Sequence, residues 1–157
     1  MGLNPMSNPN AAIVDASILV SIASKEAATY LAAKTAFNSY AQNGWEFFAP
    51  NVIVSEVMFA LCQKLAAGIL TEAEYEQAIE SFLDYMTIIA TPDDKTSLVN
   101  RAVEIRKSYG CSRSSDSLYI ALAEDLEKSR IVELFTLDKG MTNQSAKNAP
   151  TVTIKVL

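Results

Sequence analysis

Four acidic residues stand where acids are out of place. Asp15 closes the apolar run Ala11-Ala12-Ile13-Val14. Glu56 sits inside Val52-Ile53-Val54-Ser55-Glu56-Val57-Met58-Phe59-Ala60-Leu61, Asp116 heads Ser117-Leu118-Tyr119-Ile120-Ala121-Leu122-Ala123, and Asp138 follows Ile131-Val132-Glu133-Leu134-Phe135-Thr136-Leu137. Acids are rarely buried unless paired or bound to metal. Carboxylates packed together repel unless a cation neutralises them. A single shared cation site accounts for all four at once. Carboxylate oxygen favours hard ions such as Mg2+ or Mn2+.

Each acid also has an ordinary reading. Asp15 could cap the helix after it, unless Ser17 does so. Glu56 could pair with Lys64. Asp116 could complement a helix dipole from its first turn, and Asp138 could belong to a turn closed by Gly140. These require four separate explanations. The remaining acids, such as Glu72, Glu74, Asp93, Asp94 and Glu104, fall in polar helix starts or on solvated faces.

The sequence contains no histidine, which removes Ser-His-Asp and Cys-His catalysis and His-ligated zinc. Two cysteines, Cys62 and Cys111, are too few for a disulfide framework and read as small core or rim residues of a cytoplasmic protein. The net charge of −5 argues against non-specific coating of nucleic acid. It leaves a nuclease open, because a bound metal brings positive charge to its own site. A haloacid-type phosphatase would want a second Asp at Ser17, and no Gly-rich phosphate loop is present.

The elements that must position these acids alternate between strand and helix. Half of the 157 residues are hydrophobic, enough for one full core. Residues 1–10 read as a polar, mobile lead-in without the pattern of a signal peptide, and 11–157 as one domain. No apolar run could span a bilayer. The pattern predicts strands at 11–15, 46–49, 87–90, 131–137 and 152–156. It predicts helices at about 27–41, from Pro50-Asn51 to about 67, from the capping box at Thr71 to about 85, from Thr91-Pro92-Asp93-Asp94 to about 109, and from Asp116 to about 128. The second of these helices is apolar round most of its circumference and is expected to be well buried. This is an α/β order, a three-layer α/β/α sandwich with a mostly parallel central sheet. Ligands of such sheets bind beyond the carboxyl ends of the strands, where Asp15 and Asp138 fall.

Val14-Asp15-Ala16-Ser17-Ile18-Leu19, Ser55-Glu56-Val57, Ser115-Asp116-Ser117-Leu118-Tyr119-Ile120-Ala121-Leu122-Ala123 and Thr136-Leu137-Asp138 together resemble the PIN-domain ribonucleases, most of all the small toxins of bacterial type II (VapBC-type) toxin–antitoxin pairs. The resemblance spans Ala11 to Leu157. It implies an Mg2+ or Mn2+ site in which Asp15, Glu56 and Asp116 match the three central acids, Asp138 the more variable fourth, and Ser17 a hydroxyl near the metal. It further implies cleavage of RNA, a cognate antitoxin, a homodimer and a cytoplasmic location. Candidate phosphate contacts near the motifs are Lys25, Arg113 and Lys139. A PIN-fold partner-binding protein with weak or no nuclease activity is the alternative.

Overall fold

The computed structural model describes residues 7–111 and 115–157. Strands β1 (Ala11–Val14), β2 (Glu46–Phe48), β3 (Ile89–Ala90), β4 (Val132–Thr136) and β5 (Thr153–Val156) form one sheet in the order β3-β2-β1-β4-β5, every pair parallel. β1 is central, and its four residues are fully buried, as a strand covered on both faces requires. It pairs Ala11 with Glu46 on one side and with Val132 on the other. The order reverses direction between β1 and β4, so a crevice opens above the carboxyl ends of those two strands.

Seven helices among the described residues cover the sheet: α1 (Ala16–Ser24), α2 (Tyr30–Gln42), α3 (Val52–Ala66), α4 (Glu72–Met86), α5 (Thr96–Ser108), α6 (Asp116–Leu126) and α7 (Gly140–Asn148). α1 packs against α2, α3 and α4, whereas α5, α6 and α7 pack among themselves. These two layers complete the three-layer sandwich. The Thr71 capping box forms as the sequence suggests: Thr71 Oγ1 accepts from the Glu74 amide at 3.2 Å, and Glu74 returns the bond to the Thr71 amide at 3.0 Å. Gly68, at φ 71°, supplies the left-handed turn that ends α3.

Several expectations are corrected. Helix α1 lies where the sequence suggests none: Ile18, Leu19, Ser21 and Ile22 are all buried, so the segment has no polar face to mark a helical period. The following helix accordingly starts at Tyr30 rather than near 27. Thr91-Pro92-Asp93-Asp94 does not open α5, which begins at Thr96. The Pro92 carbonyl instead accepts from the Asn51 side chain at 3.4 Å, tying the segment across the sheet edge. The region after Asp138 is the helix α7, not a plain connection. α3 buries only Ile53, Val57 and Leu61 and leaves Val54, Met58 and Phe59 exposed. Both cysteines are exposed. Of the expected lead-in, residues 1–6 lie outside the described residues, and the Pro9 and Asn10 carbonyls accept from Arg130 and from the Glu46 amide. No described helix is long and apolar enough to cross a membrane.

Candidate functional site

Asp15 follows β1 directly and stands at the N-cap position of α1, yet its side chain makes no capping bond. Its Oδ2 accepts two hydroxyls, Ser17 Oγ at 2.6 Å and Thr136 Oγ1 at 2.7 Å. Thr136 is the last residue of β4, so the two strands that flank the crevice meet on this carboxylate. Ser17 Oγ also accepts from the Leu137 amide at 3.1 Å, and Thr136 Oγ1 accepts from the Asp138 amide at 2.9 Å. Side chains of β1, α1 and β4 are thereby locked into one hydroxyl–carboxylate cluster. Burial holds the Asp15 carboxyl above the ordinary carboxylate range. The Ser17 and Thr136 hydroxyls and the Ala16 backbone pull it down, and the Asp138 charge pushes it up again.

Glu56 is half-buried on α3. It does not pair with Lys64, which binds Glu26 at 2.9 Å. Its Oε1 accepts from Tyr119 Oη at 2.8 Å. Tyr119, one turn after Asp116 on α6, is fully buried. This bond joins the two helical layers over the end of the sheet. Burial raises the Glu56 carboxyl, the Tyr119 hydroxyl opposes that, and the charges of Asp15 and Asp116 raise it further. The Tyr119 phenol is pushed well above its usual range by burial and by the charges of Asp15 and Glu56, so it stays a proton donor.

Asp116, at the first turn of α6, is 8% exposed, and its Oδ2 accepts from Gln144 Nε2 at 2.9 Å. Gln144 is buried on α7. Asp138 is exposed at the crevice rim, and its Oδ1 accepts from the Gly140 amide at 2.8 Å. A Cβ at Gly140 would come within 3.1 Å of that oxygen, so glycine lets the backbone approach the carboxylate. The ordinary reading of Asp138 as a turn residue is correct, and its charge still reaches Asp15.

The acids are linked pairwise by repulsion: Asp138 acts on Asp15, and Asp15 and Asp116 act on Glu56. Among the described residues, no three of them stand close enough together to form a closed metal cage. The donor set still fits a hard divalent cation. It is all oxygen, and Mg2+ is commonly held by one or two carboxylates plus water. Each of Asp15, Glu56 and Asp116 is turned by a neutral donor on one named oxygen, a pattern common around metal-ligating carboxylates.

Of the proposed phosphate contacts, Lys139 is exposed next to Asp138. Lys25, in left-handed conformation at the end of α1, lines a depression with Ser24 and Glu74, apart from the one lined by Ser17 and Glu56. Arg113 lies outside the described residues. Thr136, Tyr119 and Gln144 were not singled out from the sequence. For Tyr119 a signal existed, a polar tip one turn after Asp116 in an apolar helix. For Gln144 there is none, because the sequence pattern marks no helix over Gly140–Asn148.

An all-parallel α/β/α sheet with acids gathered over its switch point defines a protein with an acidic cleft at the carboxyl end of the sheet. The chain belongs to the PIN-domain family, whose model matches residues 12–147. It also shares its fold with a solved structure, VapBC2 from Rickettsia felis bound to a DNA fragment from their promoter. The identity is 13% and the TM-score 0.63, with 93% of this chain and 98% of that chain covered. No curated protein sequence matches it.

Proposed function

We propose that the protein is a divalent-cation-dependent endoribonuclease acting as the toxin of a type II toxin–antitoxin pair. What supports this reading is the membership of the PIN family together with the charge coupling of Asp138 to Asp15 and of Asp15 and Asp116 to Glu56. PIN domains are generally nucleases. One or two of Asp15, Asp116 and Asp138 would hold Mg2+ or Mn2+ directly and the rest through water, with Glu56 completing the set. When bound, the cation supplies positive charge that activates water and offsets charge developing on the phosphoryl oxygens. The protein's part is orientation. Ser17 fixes Asp15 from α1 and Thr136 fixes it from β4, Gln144 fixes Asp116 from α7, and Tyr119 fixes Glu56 from α6. Hydrolysis then joins the water oxygen to phosphorus and breaks a P–O bond to the leaving ribose oxygen.

An antitoxin as partner is supported by the fold shared with VapBC2 and by an apolar groove of about 660 Å3 between α3 and α4, lined by Val54, Met58, Ile79 and Leu83 among others. The same groove is the observation that favours the second reading, a partner-binding PIN protein with little nuclease activity. A homodimer is part of the proposal.

The discriminating experiment is digestion of a mixed RNA pool with Mg2+, Mn2+ or EDTA. Cleavage with either metal, lost in EDTA, is the expected result. Intact RNA under every condition, with no heat of metal binding, overturns the nuclease reading in favour of the partner-binding one.

A smaller effect tests the orientation argument. Tyr119→Phe keeps the buried ring and removes only the donor to Glu56. Losing an outer-shell partner typically costs roughly 10–100-fold in metal affinity or activity. Weaker Mn2+ binding by calorimetry and a comparable fall in kcat are expected. Unchanged metal affinity and kcat would remove Tyr119 from the machinery.

A further inference from the structure

The cleft beside the acids has a volume of about 400 Å3, and its walls include Ser17 and Glu56 from the acidic site and Glu26 and Thr29 from the α1–α2 connection. No lysine or arginine lines it among the described residues. A second depression, about 650 Å3, shares Ala60 with the first and is lined by Lys64 and Gln63. Glu56, Ala60 and Lys64 follow one another at four-residue spacing, so they lie along one face of α3. The Lys64 ammonium reaches back to Glu26 Oε1 at 2.9 Å, which puts the charge at the wall between the two depressions.

We propose that Lys64 binds an RNA backbone phosphate flanking the scissile one, exchanging Glu26 for that phosphate when RNA enters. The inference rests on the nuclease reading. A chain of net charge −5 with four acids at its site repels a polyanion, and a single-stranded substrate leaving the acids over Ala60 meets Lys64 next. Lysine offers a compact charge with three donors on a flexible stem, suited to a phosphate. The exchange is easy on both sides. The Lys64 and Glu26 side chains are 20% and 33% exposed, and ion pairs open to solvent stabilise little. Glu26 also keeps a partner after Lys64 leaves, because its Oε2 accepts from Thr29 Oγ1 at 3.1 Å.

The test measures binding of a short mixed-sequence single-stranded RNA to Asp116→Asn protein by fluorescence anisotropy over a range of NaCl with Mg2+ present. Each phosphate contact on a single strand contributes about 0.7 to the slope of log K against log salt. Lys64→Ala is expected to weaken binding and flatten the slope by about that amount, with Lys64→Arg restoring it. Glu26→Gln is expected to tighten binding, and Lys64→Ala to cancel most of that gain. In otherwise unaltered protein, Lys64→Ala should raise KM several-fold and leave kcat nearly unchanged. If the pair is only a tie between α1–α2 and α3, breaking it from either side has the same effect on RNA, and the slope stays put. That result overturns the assignment while metal-dependent cleavage by the unaltered protein stands. Absence of such cleavage overturns the nuclease reading itself, and this assignment with it.

Discussion

Asp15→Asn is expected to abolish RNA cleavage while leaving the protein at least as stable as before. The loss should exceed the roughly 10–100-fold typical of removing an outer-shell partner, because the substituted group is a proposed ligand itself. Asn can offer its carbonyl oxygen to Ser17 and Thr136, which now both donate to Oδ2. Its amide nitrogen then faces the side from which a cation would be bound, without charge and without a lone pair to give. The stability argument runs the other way. Burial holds the folded-state Asp15 carboxyl above its ordinary 3.8. A carboxyl whose pKa is higher folded than unfolded contributes stability that is lost as pH rises through the folded value. Above that value the ionised carboxylate therefore weighs against the fold, and a neutral isostere removes that load. Thermal unfolding at neutral pH without metal should give a Tm for Asp15→Asn no lower than that of the unaltered protein. Asp116→Asn should lose cleavage too, its Gln144 contact being one an amide can rearrange to keep. Cleavage within tenfold of the parent by either variant would refute the assignment.

The same separation of activity from stability makes the acids legible in the sequence. An acid at the end of an apolar run is conspicuous because the fold has no use for it, so Asp15, Glu56, Asp116 and Asp138 stood out one by one. Their neighbourhood followed from strand polarity: Asp15 and Asp138 had to lie at carboxyl ends. Their orienting donors did not stand out. Thr136 is an ordinary β-branched strand residue, and its role depends on β4 lying beside β1, which is a fact of strand order. Gln144 acts from α7, whose sequence, Gly-Met-Thr-Asn-Gln-Ser-Ala-Lys-Asn, is poor in strong helix formers and rich in residues that favour turns. Tertiary packing of Met141 and Ser145, both buried, overrides that preference. α1 was hidden for the opposite reason, being apolar on nearly every side. Periodicity marks elements that lie between core and water, and it is silent on those wholly inside.

The second large effect concerns the core. Phe37 of α2 lies flat on Phe47 of β2, with ring centroids 4.0 Å apart and planes 7° from parallel. It also meets the Tyr85 ring edge-on at 4.8 Å and the Phe135 ring at 6.3 Å. One side chain thus joins α2, α4, β2 and β4. Phe37 is 2% exposed, so Phe37→Ala leaves a void between close-packed rings that cannot all move in to fill it. Such truncations cost about 3–5 kcal/mol, a large share of the roughly 5–15 kcal/mol that holds a typical domain together. For a chain of this length the Tm should fall by roughly 6–20 °C. The acids and their donors make none of these ring contacts, so kcat measured well below the new Tm should stay within a few-fold of the parent's. A fall in Tm of less than about 3 °C would mean that the rings repack around the void. Loss of kcat in protein still folded would mean that the stack, through Phe135 beside Thr136, holds the end of β4 in the register that Asp15 requires.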